Sequence, residues 1–89
     1  MSKSIQNLAF SDLVGEFLGK AETACKEHEL RLVCSAIQYA AARMNVLEAN
    51  SNCDCLACHK DDATEWYTNE YKVMFEKNVD EIMEHLDCE

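Results

Sequence analysis

The sequence predicts an all-α protein, an up-down-up three-helix bundle in a single domain over residues 1–89. Its 89 residues include no proline and only two glycines, whereas sheet folds need frequent turns that use both residue types. In three segments, apolar residues recur at the three- and four-residue spacing of an amphipathic helix. Short connections join these segments and favour antiparallel neighbours.

The first helix is predicted over residues 11–28, where one apolar stripe follows the segment. The stripe consists of Leu13, Val14, Phe17, Leu18, Ala21, Ala24 and Cys25. Because a helix turns by 100° per residue, these positions share one face. A cluster of charged residues at 27–31 then breaks the pattern.

The second helix is predicted over residues 30–49, and it carries two apolar edges. The main stripe consists of Val33, Ile37, Ala40, Met44 and Leu47. Leu32, Tyr39 and Val46 follow one another at intervals of seven and fall on roughly the opposite side. A three-helix monomer needs one stripe per helix, so this second edge is surplus.

The third helix is predicted over residues 61–87, after a polar loop at 50–60. Its acidic first turn suits the positive end of the helix dipole. The stripe consists of Tyr67, Tyr71, Met74, Phe75, Val79, Ile82 and Leu86. Trp66 and Val73 lie off this stripe.

The surplus apolar residues predict a homodimer, in which two bundles pair as six helices. Its interface is expected at Leu32, Tyr39 and Val46, with Trp66 and Val73 near the rim. Two alternatives stay open at this point. Scattered exposed apolar residues are normal on soluble proteins, and residues 5–10 offer a segment that folds back over the same edge.

The formal charge of −9 is concentrated in one element. Residues 1–60 hold seven acids and six bases, a net of −1, whereas residues 61–89 hold ten acids and two bases, a net of −8. Nucleic acid is therefore not expected as a partner, because phosphate binding needs clustered Lys and Arg. The carboxylates are interpreted as the solvated face of the third helix.

The chain shows neither a secretory signal nor a run of apolar residues long enough to span a membrane. We therefore expect a cytoplasmic protein with reduced thiols and no membrane partner. No nucleophile with its base, phosphate-binding loop or inward pair of carboxylates is recognisable, so an enzyme is not predicted.

The loop string CDCLACH places three cysteines and a histidine within seven residues. Cys53, Cys55, Cys58 and His59 provide the three thiolates and one imidazole of many structural zinc sites. Adjacent Cys58 and His59 can hardly both face one ion, so Asp61, water or a second chain is an alternative fourth ligand. Free thiols with redox-sensing chemistry are the competing interpretation. The string Cys55-x-x-Cys58-His59 also matches haem attachment, which takes place outside the cytoplasm and is therefore not favoured.

A second set of metal ligands is predicted at the other end of the bundle. Cys25 with His28, and His85 with Cys88, each have the three-residue spacing that puts two side chains on one helix face. The up-down-up topology brings the two pairs to the same end, where they offer a Cys2His2 set. The competing interpretation is that these cysteines are small buried apolar residues.

The sequence also resembles a known family. The string YAAARMN, from Tyr39 to Asn45, follows AETACKEHE and precedes EWYTNEYKVMFEKNVDEIMEH. These three segments resemble a family of small bacterial proteins catalogued as a domain of unknown function. Members carry a YAAARxN core and a late pattern matched here by Tyr71, Met74, Asn78, Asp80 and, displaced by one residue, Ile82. The resemblance covers about residues 10–86 and implies a small helical protein without an assigned activity. The cysteine loop, Cys53 to His59, is not part of the motif pattern.

The motif residues also have a physical interpretation. Small alanines at 40–42 allow a neighbouring helix to approach closely. Arg43 is expected to pair with a carboxylate of the third helix such as Glu70, and Asn45 and Asn78 to form hydrogen bonds that fix the register. A ligand pocket built on these residues is the alternative. The sequence as a whole predicts a module that binds or scaffolds a protein, with a zinc or redox module as the second possibility.

Overall fold

The computed structural model describes the backbone of residues 3–86 and the side chains of residues 8–84 and 86. Three long helices are present: α1 (Lys3–Ala24), α2 (Leu30–Ser51) and α3 (Lys60–Leu86). A short 3-10 turn, Ala57–His59, leads directly into α3. No strand occurs between residues 3 and 86, so the all-α class and its three helices are confirmed. None of these helices is both long and apolar enough to cross a membrane.

The chain divides into two compact units, which we call unit 1 (Met1–Arg43) and unit 2 (Met44–Glu89). The boundary falls within α2. A single domain over residues 1–89 and the pairing of two bundles into a dimer stay predictions.

In unit 1, α1 occupies a different span from the predicted 11–28. It begins at Lys3, so residues 5–10 continue the helix and do not fold back as a separate segment. It ends at Ala24, four residues early, because the backbone tightens there: the N–H groups of Lys26 and Glu27 donate to carbonyls three residues back. Such bonds satisfy the last carbonyl groups of a helix.

The apolar stripes of unit 1 are largely exposed. Val33 is the buried residue among the described side chains, with 6% of its surface accessible. Phe17, in the middle of the α1 stripe, is 69% exposed, and Leu13 and Leu18 are exposed as well. Unit 1 therefore forms its helices with the predicted pattern but covers little of their apolar surface by itself.

In unit 2, α2 runs two residues beyond its predicted end. Ser51 Oγ and Asn52 Nδ2 donate to the carbonyl oxygen of Glu48, at 2.7 and 3.1 Å. These side chains close the last turn of α2, which is why the Asn and Ser residues terminate the helix at this point. α3 begins at Lys60 and has Asp61 and Asp62 in its first turn, where their charge favours the positive end of the helix dipole.

Candidate functional site

The cysteine loop between α2 and α3 is the part of unit 2 with the most distinctive chemistry. Cys55 and Cys58 are joined by a disulfide whose Cα atoms are 5.3 Å apart. The backbone N–H of Cys58 donates to the Sγ of Cys55 at 3.3 Å. Cys53 is free and half-buried. The expectation that all the loop thiols are reduced is therefore wrong for Cys55 and Cys58.

The predicted zinc ligands of the loop are not assembled around one point. Within the part of the chain that the structure describes, no group of three or more His, Cys, Asp or Glu residues is placed to hold a metal ion. Two of the four expected ligands, Cys55 and Cys58, are bonded to each other and have no thiolate to offer. Zinc binding by the reduced loop through Cys53, Cys55, Cys58 and His59 stays a prediction.

The second predicted ligand set rested on pairs that share a helix face. Cys25 and His28 lie beyond the end of α1, in the turn that leads to α2. The prediction that these two residues belong to one helix is therefore wrong. The backbone N–H of His28 donates to the carbonyl of Ala24 at 2.9 Å. Cys88 and the side chain of His85 lie outside the described residues.

A contact that sequence reasoning missed joins α2 to α3 across the loop. The hydroxyl of Tyr67 donates to Oε1 of Glu48 at 2.9 Å, and the two residues are 19 positions apart. Desolvation raises the pKa of Tyr67 above its ordinary value, and the hydrogen bond and charge of Glu48 and the charge of Glu70 raise it further. Tyr67 stands in the predicted α3 stripe, but nothing in the spacing identifies Glu48 as its acceptor.

Trp66 lies beside this contact. Its ring meets that of Tyr67 edge to face, with centroids 4.9 Å apart. Such pairs contribute about 0.5–1.5 kcal/mol beyond the burial of their area. Trp66 is the single tryptophan of the chain, so its fluorescence reports on this part of unit 2.

Two of the family-motif side chains, Arg43 and Asn78, contact residues of their own helices. Arg43 Nη2 donates to the hydroxyl of Tyr39 at 3.2 Å, and its guanidinium carbon lies 5.5 Å from the centre of that ring. A carboxylate of the third helix was expected in this role. Asn78 Nδ2 donates to the carbonyl of Met74 at 2.8 Å and so bonds to its own helix. Asn45 is half-buried, and Tyr71 lies near Phe75 with ring centroids 6.0 Å apart.

The predicted interface residues are exposed in the single chain. They are Leu32, Tyr39, Val46, Trp66 and Val73. Leu32 is 58% and Tyr39 68% accessible. Their exposure makes these apolar side chains available for contact with a partner.

Comparison with protein families identifies the chain. A model described as "Protein of unknown function (DUF3144)" matches residues 10–83, which include most of α1, all of α2, the cysteine loop and most of α3. The chain belongs to this family. The resemblance to a domain of unknown function is thereby confirmed. No curated protein and no solved structure matches this DUF3144 protein.

Proposed function

We propose that this DUF3144 protein is a cytoplasmic binding module without catalysis, and that its first partner is a second copy of the same chain. The observation that carries the proposal is the exposure of its apolar stripes. Large apolar side chains of all three helices are exposed, and Val33 is the buried one among the described residues. Contiguous exposed apolar surface is typical of interaction sites.

The edge of α2 at Leu32 and Tyr39 is the surface we assign to self-association. Val46 continues the same seven-residue spacing, which is the heptad repeat of helices that pair as coiled coils. Small residues, Ala36 and Ala42, stand on the same side by helical spacing and allow close approach. Arg43 is the charged residue on this side of α2. Its guanidinium group donates a hydrogen bond to the Tyr39 hydroxyl and lies over the Tyr39 ring.

The charge distribution favours α2 over α3 for contact between two copies. Residues 1–60 have a net charge of −1, so α2 edges can meet without strong repulsion. Residues 61–89 have a net charge of −8, and two such segments repel each other. The acidic side chains of α3 are then left to face solvent.

Sedimentation of matched variants tests this surface. Leu32→Glu places a charge on the proposed edge, whereas Ala41→Glu places the same charge on an exposed position about half a turn away. We expect the wild type and Ala41→Glu to sediment as dimers and Leu32→Glu as a monomer, with the helical circular dichroism of all three alike. A Leu32→Glu protein that remains dimeric contradicts the assignment of the edge.

A further inference from the structure

The three cysteines of the loop are not explained by self-association. Cys55 and Cys58 are paired, and Cys53, two residues before Cys55, is a free thiol. We propose that Cys55 and Cys58 form a reversible dithiol–disulfide switch, which exchanges with low-molecular-weight disulfides and sets the geometry of the α2–α3 connection. This inference goes beyond the proposed self-association and does not depend on it.

The backbone assigns the attacking role to Cys55. Leu56 has helical dihedral angles, φ −64° and ψ −38°, and the helical path continues through the 3-10 turn into α3. Cys55 therefore precedes a continuous helical segment, and its sulfur accepts the N–H of Cys58. This is the bond that a capping side chain accepts from the third residue of a helix. In the reduced state, the same N–H and the positive helix end favour the thiolate of Cys55 over its thiol.

The exchange is balanced without a metal or oxygen. The Cys55 thiol loses its proton, and the thiolate attacks one sulfur of a small disulfide, RSSR. The S–S bond of RSSR breaks, one thiolate leaves and takes up a proton, and a mixed disulfide remains on Cys55. The Cys58 thiolate then attacks the Cys55 sulfur, and the second RSH leaves with the proton that Cys58 lost. Two cysteine thiols are oxidised to one disulfide, and RSSR is reduced to two RSH.

The contacts on either side of the loop connect this switch to the helices of unit 2. The carbonyl of Glu48 accepts hydrogen bonds from the side chains of Ser51 and Asn52 at the end of α2, and its carboxylate accepts one from the Tyr67 hydroxyl. Glu48 and Tyr67 thus bracket the segment that contains all three loop cysteines. Reduction of the disulfide removes the covalent constraint from the segment between Glu48 and Tyr67. Trp66 senses this change because its ring lies against that of Tyr67. We therefore expect its fluorescence to follow the redox state.

A titration of the full chain with mixtures of reduced and oxidised glutathione tests the proposal. Free thiols are alkylated at each ratio and located by peptide mass spectrometry, while Trp66 fluorescence is recorded on the same samples. We expect Cys55 and Cys58 to lose alkylation together in one two-electron step, with no glutathione retained. The fluorescence should change with the same midpoint, and Cys53 should stay open to alkylation.

Single substitutions separate the roles of the three thiols. Cys58→Ser should trap glutathione on Cys55, whereas Cys55→Ser should retain little at Cys58. Cys53→Ser is the matched control and should titrate like the wild type. The proposal is overturned if Cys53 replaces either partner in the wild-type disulfide, if Cys55 and Cys58 stay reduced at the most oxidising ratio, or if bound zinc keeps them reduced. Glutathione trapped equally on Cys53 and Cys55 in Cys58→Ser contradicts the attacking role of Cys55.

Discussion

Unit 1 and unit 2 are built from the same kind of amphipathic helix, but they differ in which side chains form contacts and whether those contacts join different helices. In unit 1, Arg43 and Tyr39 form a contact between residues four apart in one helix. In unit 2, Glu48 and Tyr67 join different helices, and a disulfide closes the loop between those helices. Helical periodicity therefore explains the helices of both units, whereas the tie between helices in unit 2 depends on a few polar and sulfur-bearing side chains.

The largest effect that tests this contrast is expected at Val33, the buried residue among the described side chains of unit 1. Val33→Ala removes two methyl groups from a site that is 6% exposed, and we expect a loss of about 2 kcal/mol in the free energy of unfolding. Urea denaturation measures it. The neighbouring Cys34 is exposed, so Cys34→Ala is the control and should change the stability by less than about 0.5 kcal/mol. Equal effects of the two substitutions would show that unit 1 has no buried centre.

A smaller effect, of opposite sign, is expected at Gly19 in α1. A Cβ atom at this position meets nothing within 4 Å, and glycine in a helix interior is less favourable than alanine by about 0.8–1.0 kcal/mol. Gly19→Ala should therefore stabilise unit 1 by about that amount in thermal unfolding. Gly15→Ala has the same open surroundings and should behave alike. A loss of stability in either variant would mean that another helix packs closely against this face of α1.

The smallest effect concerns the pH dependence of unit 2. The pKa of Tyr67 is raised in the folded chain, so the folded state holds the proton more tightly than the unfolded state. The resulting stability is fully present below pH about 10 and is lost as the pH rises through the pKa of the folded state.

Ultraviolet titration of tyrosine ionisation checks this prediction, with Tyr67→Phe identifying the signal. In Glu48→Gln the ionisation of Tyr67 should move down towards its ordinary range, because the charge of its acceptor is gone. Glu70→Gln should give a smaller shift in the same direction, since Glu70 acts through its charge alone. An unchanged titration in Glu48→Gln would argue against the contact between α2 and α3.

Much of the fold follows from the sequence because helical spacing and the lack of proline are local signals. The first and last residues of each helix are less predictable from the sequence. α1 begins at Lys3, well before its apolar stripe, because helix propensity extends a helix beyond the residues that carry the periodic pattern. Ser51 and Asn52 end α2 through side-chain hydrogen bonds that the spacing of the sequence does not reveal. The loop string marked the cysteines, but spacing alone did not show that Cys55 pairs with Cys58.

We propose that the exposed apolar edge of α2 holds two copies of the chain together. Sedimentation velocity of the wild-type protein over a range from low to high micromolar concentration tests it most directly. We expect a dimer at high micromolar concentration that dissociates to a monomer on dilution, as mass action requires. A protein that sediments as a monomer throughout this range would contradict it.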